Sequence, residues 1–352
     1  MEAESWSLVP NLNLFAKKFP VPGLSPMYPD VYCSNNGEVC HATTGEGEIN
    51  AALSTAALLA SPLFNLTTTY ILVTGISSIS PKHGTLGSVT LPLYSIQFSL
   101  VHELSALQTP ANFSSNYIPL GAKAPDQYPV YLFGTEVFEL NDALRKEVAS
   151  YAKRAYLNDS DSAIFYRSLY YSKNGEYTPG AAPPGIELCD SITSDTWYSG
   201  SKIGEAIEGY VKLVTNNHGV YCTAAQEDSA ILAALFRGTL HVPRLVDFDR
   251  VIVLRSGADF DREHWRQEAA QNLLWVDSPG RAPALRNIGI AGGKIVSGIL
   301  GNWTRVFEKG VKAENYVGDV FGTAGGTPDF GPKKRPGKGE DGKGSMVIGE
   351  VL

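Results

Sequence analysis

The chain has 352 residues, 43% of them hydrophobic and 18% charged, and a formal net charge of -7. That composition is globular rather than disordered, and the acidic balance argues against the basic face of a nucleic-acid binder. No apolar run reaches the ~18 residues a membrane-spanning helix needs: Asn50, Ser54, Thr55 and Ser61 interrupt one candidate, and Lys294 the other.

The start, Met1-Glu2-Ala3-Glu4-Ser5, is acidic and polar and carries no signal-peptide pattern. Residues 19–26 form a Pro-punctuated loop. Residues 39–44 read as a strand. Gly45-Glu46-Gly47 then turns into a helix over 49–60, which Pro62 stops, and 70–75 reads as a second, buried strand. A strand–turn–helix–strand unit predicts parallel neighbours with the helix crossing over the sheet. Gly45 and Gly47 either make only a tight turn or also let the backbone approach a ligand. Their spacing is not the dinucleotide fingerprint, which needs a third glycine.

Further on, the apolar residues of 87–100 recur as in a strand pair. An amphipathic helix is expected over 142–155, with Leu144, Val148 and Ala152 on one stripe and Asn141 or Asp142 as its cap. Residues 174–184 read as a surface loop and 186–192 as a strand. Ser194-Asp195-Thr196-Trp197-Tyr198-Ser199-Gly200 comes after it, then a helix over 202–211. A short strand at 220–222 leads through Gln226-Glu227-Asp228 into a helix over 229–236. The buried strand 251–255 ends in Ser256-Gly257-Ala258-Asp259-Phe260-Asp261. A long helical segment over 283–307 is expected to be loosened by Gly289, Gly292 and Gly293. Residues 331–345 are mostly Gly, Lys, Arg and Pro and cannot bury enough to order themselves. We therefore expect one domain over 1–330 and a disordered tail over 331–352.

Cys33 and Cys40 flank a turn-like segment, and Cys189 and Cys222 sit on separate strand-like segments. Two bridges would suit an oxidising compartment, the shorter loop contributing about 2–3 kcal/mol. Glycosylation patterns begin at Asn65, Asn112, Asn158 and Asn302. Together these features suggest a secreted lineage, although no signal peptide is expected from the acidic, polar start.

Ligands of an open parallel sheet bind beyond the carboxyl ends of its strands. Four predicted strand ends carry polar residues: Thr74-Gly75, Ser194-Asp195, Glu227-Asp228 and Asp259. Acids also cap helices at such positions. There is no Gly-x-Ser-x-Gly elbow and no P-loop, and the six histidines lack metal-ligand spacing. Neither a metal nor a cofactor is expected.

Thr44-Gly45-Glu46-Gly47-Glu48-Ile49-Asn50-Ala51-Ala52, with a strand ending in Thr74-Gly75 after it, resembles the fungal purine nucleoside permease family of the nucleoside phosphorylase and nucleosidase superfamily. The resemblance implies an α/β fold, a three-layer α/β/α sandwich of nucleoside-phosphorylase type. It also implies a buried strand before Glu2-Ala3-Glu4-Ser5-Trp6, which the fold is expected to lack. Trp197 takes the place of the aromatic that stacks on the base, with Asp195 and Tyr198 beside it. Asp228, with Glu227 before it, takes the place that holds the ribose hydroxyls. Asp259 takes that of the general acid. Gly75, Ser77 and Arg255 complete the implied substrate-binding set.

The chain departs from the family at Ser77 and Ser78, at Ser105-Ala106-Leu107-Gln108 and at Ala258, and no arginine stands just before Gly75 to clamp phosphate. Two functions stand as alternatives. One is a purine-nucleoside-handling protein that binds, cleaves or takes up its ligand, with water as the nucleophile. The other is a pocket recruited to secondary metabolism, folding an apolar substrate for cyclisation. The expected partner is a small molecule; the sequence does not specify an oligomeric state.

Overall fold

The computed structural model describes residues 2–7, 9, 12–171 and 175–331; the tail expected beyond Gly331 lies outside the described residues. The chain opens with helix α1 (Glu2–Ser7) and an antiparallel ribbon, β1 (Lys17–Pro20), β2 (Asp30–Cys33) and β3 (Cys40–Ala42). Helix α2 (Glu48–Ala60) leads to β4 (Ile71–Ile79), β5 (Val89–Thr90) and β6 (Tyr94–Gln97). A small hairpin, β7 (Val101–Glu103) and β8 (Tyr117–Pro119), precedes β9 (Val137–Glu139). Helices α3 (Asp142–Ala152), α4 (Asp161–Ser168) and α5 (Thr178–Ala181) come next, then β10 (Ile186–Glu187) and β11 (Asp190–Thr193). The rest is α6 (Ser201–Val214), β12 (Tyr221–Ala225), α7 (Asp228–Leu240), β13 (Val251–Phe260), α8 (Ala269–Leu274), α9 (Arg281–Gly301) and β14 (Gly318–Asp319).

One mixed sheet of nine strands runs in the order β10-β5-β13-β4-β12-β11-β6-β9-β14. Its centre is parallel where β4 meets β13 and where β11 meets β12 and β6. On one face α2 and α7 pack over Val73, Val251 and Val253. On the other, α1, α3 and α9 cover Ile252 and Leu254, and α6 covers Ile192 and Tyr221. This is the expected three-layer α/β/α arrangement. Among the described residues no helix is long and apolar enough to cross a membrane.

Several expectations are met locally. The Asn141 side chain accepts from the Leu144 N–H and caps α3, and Leu144, Val148 and Ala152 are fully buried. Both disulfides are present, with Cα separations of 4.0 Å for Cys33–Cys40 and 5.6 Å for Cys189–Cys222.

Three expectations need correction. First, β3 and β4 are not sheet neighbours: β3 ends the small ribbon. Along 71–77 only β13 pairs with β4, and β12 joins it only at Ser78 and Ile79. At the facing edge the Ile76 N–H donates to Glu2 Oε1 at 2.8 Å, so a side chain from α1 stands where a strand would offer a backbone acceptor. Second, the strand expected over 186–192 is two strands at distant places in the sheet. Asp190, buried at the break, accepts from the Leu93, Tyr94 and Val220 N–H groups at 3.0, 2.9 and 2.7 Å and pins the crossing. Third, the glycines of α9 admit a neighbour rather than loosen the helix. A Cβ on Gly289 would overlap the Ser5 carbonyl oxygen, and one on Gly292 would stand 2.6 Å from the Trp6 ring. Helix α9 ends at Gly301, and after Asn302 a π-helical stretch, Trp303–Phe307, carries the helical segment to its expected end. We expect Gly289→Val to displace α1 and lower stability by about 1–3 kcal/mol through overpacking. A thermal melt no lower than wild type would contradict that packing.

Candidate ligand-binding site

Strand β12 ends at Ala225 and α7 starts at Asp228, so Glu227 and Asp228 occupy a tight strand-to-helix turn. Arg255 rises from β13, its neighbour in register being Gly75 of β4. Its guanidinium crosses beneath Gly75, where any Cβ would overlap Nη1; that contact, rather than a turn, requires the glycine. Nε donates to Asp228 Oδ1 at 2.8 Å, Nη2 to the same oxygen at 2.5 Å and to Glu227 Oε2 at 3.1 Å, and Nη1 to the Ile76 carbonyl at 3.3 Å. Asp228 Oδ2 accepts from Ser191 Oγ at 2.8 Å. Both carboxylate oxygens of Asp228 are thus engaged, and the residue is fully buried. Glu227 differs: Oε1 accepts from the Gly47 N–H at 3.2 Å, and its side chain keeps 16% exposure.

Burial raises the Glu227 pKa above the ordinary carboxylate value, although Arg255 and the Gly47 N–H oppose the shift. The Arg255 guanidinium is held firmly charged: Asp228 and Glu227 together outweigh the cost of its burial. Charges of this kind are kept in a protein interior only when paired and hydrogen-bonded.

The loop after β11 is fastened to the start of α2. Asp195 Oδ1 accepts from the Glu48 N–H at 2.8 Å, satisfying a free donor at the helix start from across the site. Glu48 accepts from Gln97 Nε2 at 3.0 Å and from Ser99 Oγ at 3.1 Å. Trp197, on this loop, is 63% exposed and so is not a core residue. Tyr198 is the packed aromatic, with ring centroids 5.6 Å from Phe98 and 6.2 Å from Tyr117. Ser77 is buried on β4, its hydroxyl 3.5 Å from the Ser256 carbonyl.

Asp259 stands apart. Gly257 registers with Ser77, but Asp259 registers with Ser78, so Ala258 is an extra residue in β13. An inserted residue turns the residues after it to the other face of the sheet. Asp259 therefore lies on the face of α6 and α9, whereas Arg255 lies on that of α2 and α7. Burial, with a smaller contribution from Asp261, pushes its pKa up to about 7; its own backbone N–H offsets this in part.

The structure brings together Gly75, Arg255, Glu227 and Asp228, with Asp195 joined to them through Gly47 and Glu48. It leaves Asp259 on the opposite face and Trp197 in solvent. Sequence reasoning missed Glu2 and Ser191, and offered Gly47 only as a tight turn or a backbone that approaches a ligand. Only the glycine turn gave a signal, because a serine in a strand and an acid near the start carry none. Among the described residues no group of His, Cys, Asp and Glu could hold a metal ion. A cavity of about 1130 Å³ lies between α2 and α7, lined by Glu48, Ile49 and Ala52 of the glycine-turn motif but by none of the expected catalytic or substrate-binding residues.

The family model described as purine nucleoside permease matches residues 1–312. A purine nucleoside permease of Candida albicans is 39% identical over 323 residues, covering 90% of this chain and 78% of that protein. A probable purine nucleoside permease of Schizosaccharomyces pombe is 34% identical over 314 residues, covering 86% and 87%. Among solved structures, a Streptococcus pneumoniae MTA/SAH nucleosidase in complex with 8-aminoadenine aligns at TM-score 0.49 and 15% identity, covering 85% of this chain and 96% of its own. The futalosine hydrolase of Helicobacter pylori aligns at TM-score 0.49 and 12% identity, covering 86% and 93%. On the family match and the two fungal relatives, the chain belongs to the purine nucleoside permease family.

Proposed function

We propose that the chain binds a purine nucleoside beside the carboxyl ends of β11 and β12, where Gly75 and Arg255 stand midway along β4 and β13. The observation that carries this reading is the Arg255 clamp. It engages Asp228 wholly inside the protein and holds Glu227, still partly exposed, as an acceptor at the strand ends. A carboxylate can accept from both hydroxyls of a vicinal diol, so the ribose contact passes from Asp228 to Glu227. Trp197 offers an exposed ring face suited to a flat purine. The fungal relatives, named for purine nucleosides, support the same ligand class. Equilibrium dialysis against inosine, guanosine, adenosine and uridine tests it. Retention of the purine nucleosides above uridine is expected; no retention at millimolar ligand would sink the reading.

A second reading, cleavage of the N-glycosidic bond, is favoured by Asp259. A carboxyl with a pKa of about 7 keeps a proton near neutrality and can pass it to the departing purine. Water would add to the sugar carbon as the electrons of the C–N bond move onto the purine. Because Asp259 faces the other side of the sheet from Arg255, the purine must reach past the strand ends to meet it. Nothing in the relatives favours cyclisation of an apolar substrate, and the side chains that meet at Arg255 are charged.

A further inference from the structure

Four Asn-x-Ser/Thr patterns mark places where an N-linked glycan could be added, and the structure sorts them. The reaction needs an asparagine amide free of its own fold and room in solvent for a bulky sugar. It also needs the hydroxyl two residues on to be open to the transferase. Two of the four patterns are built into helix ends. Asn158 donates its backbone N–H to Asn287 Oδ1 at 2.6 Å, and its carbonyl accepts from Asn287 Nδ2 at 2.9 Å. The Ser160 hydroxyl accepts from the Ala163 N–H and caps α4. Asn302 follows α9, where its Nδ2 donates to the Gly298 carbonyl at 2.9 Å, and Thr304 lies in the π-helical stretch beyond. Asn65 is exposed, but the Thr67 hydroxyl and N–H both donate back to its Oδ1, at 2.7 and 3.1 Å, and the residue lines the cavity between α2 and α7.

Asn112 differs in each respect. It lies in the loop 104–116 that joins β7 to β8, in which Leu107 is 98% exposed. Asn112 and Ser114 are both exposed, and neither side chain has a hydrogen-bond partner among the described residues. The backbone here is fastened by the Phe113 N–H, which donates to the Pro110 carbonyl at 2.9 Å. The cysteines supply an independent observation. Cys33–Cys40 and Cys189–Cys222 are both bridged, and disulfides form in the oxidising, secretory compartments where such glycans are added.

We propose that Asn112 is an acceptor of N-linked glycan, and the acceptor that the folded chain offers. Asn112 Nδ2 bonds to the anomeric carbon of a lipid-linked pyrophosphate oligosaccharide as the bond from that carbon to the pyrophosphate oxygen breaks. The electron pair leaves with the lipid pyrophosphate, and a basic group of the transferase takes the Nδ2 proton. The hairpin that carries the glycan adjoins the loop of Tyr198 through Tyr117, with ring centroids 6.2 Å apart. The inference does not depend on the nucleoside reading.

Glycan transfer in vitro tests it. The whole chain, folded with its disulfides closed, is incubated with a single-subunit oligosaccharyltransferase and lipid-linked oligosaccharide. Mass spectrometry then reads each modified asparagine as the aspartate left by enzymatic release of the glycan. One glycan is expected, on Asn112. Asn112→Gln and Ser114→Ala should each abolish it without lowering the thermal melt, since both side chains are exposed and unbonded. Ser114→Thr keeps the hydroxyl and should keep the glycan. The chain unfolded by reducing and blocking its cysteines should gain glycans at the other patterns as well. No transfer to the folded chain, a glycan that survives Asn112→Gln, or the same pattern on folded and unfolded chains would overturn the proposal.

Discussion

Arg255→Met is expected to cost about 3–5 kcal/mol of folding stability, the range for removing one partner of a buried ion pair. Arg255 is 2% exposed and Asp228 fully buried. Without it, Asp228 keeps only the Ser191 hydroxyl among its donors, and Glu227 only the Gly47 N–H. Arg255→Lys should recover only part of the loss. One ammonium cannot reproduce the fork that meets Asp228, Glu227 and the Ile76 carbonyl together. Urea unfolding reads the effect as a lower midpoint at unchanged slope. A loss under about 1 kcal/mol, the range of exposed pairs, would mean that the cluster is hydrated and does not organise the strand ends.

Asp259→Asn should separate chemistry from binding and from folding. If the chain cleaves nucleosides, the variant should lose about 10²–10⁴-fold in rate, the range for a positioned general acid, and bind its ligand as before. The wild-type rate should fall as pH rises above 7, where the acid loses its proton. Stability moves in the opposite sense to a salt-bridged carboxylate. The folded-state pKa of about 7 lies above the ordinary value of 3.8, so ionising Asp259 opposes folding. That penalty is absent well below about pH 4, grows between about 4 and 7, and is complete above. Asp259→Asn should therefore stabilise the protein at pH 8 and leave it unchanged at pH 3. Thermal melts at the two pH values check this; equal effects at both would mean that Asp259 ionises freely.

Legibility in the sequence tracked the range of the interactions involved. Helices α2, α3, α6 and α7 were legible because each has an apolar stripe and a local start or stop, as with Asn141 before α3. Both cysteine pairs were legible from the segments that flank them. Sheet order was not. That β4 pairs with β13 rather than β3, and that Asp190 divides one apolar run between two places in the sheet, depends on contacts about 30 to 180 residues apart. The site divides in the same way. Glu227 and Asp228 could be picked out because strand ends gather polar residues, whereas Arg255, midway along β13, came only from the family resemblance. Which acid is buried depends on Ser191 and Gly47, and no local pattern announces a serine or a backbone N–H as a partner. The shift of Asp259 to the other face comes from one inserted residue, Ala258, which a sequence displays only as a small residue near a strand end.

The most direct test of the nucleoside reading compares inosine with 2′,3′-dideoxyinosine by calorimetric titration of wild type and Glu227→Gln. The account predicts that wild type binds inosine more tightly, because only inosine offers the diol to the Glu227 carboxylate. It predicts that Glu227→Gln binds the two with nearly equal affinity while still binding the purine. Wild-type affinity equal for both ligands, or a preference for inosine that survives Glu227→Gln, would contradict the assignment of Glu227 to the ribose.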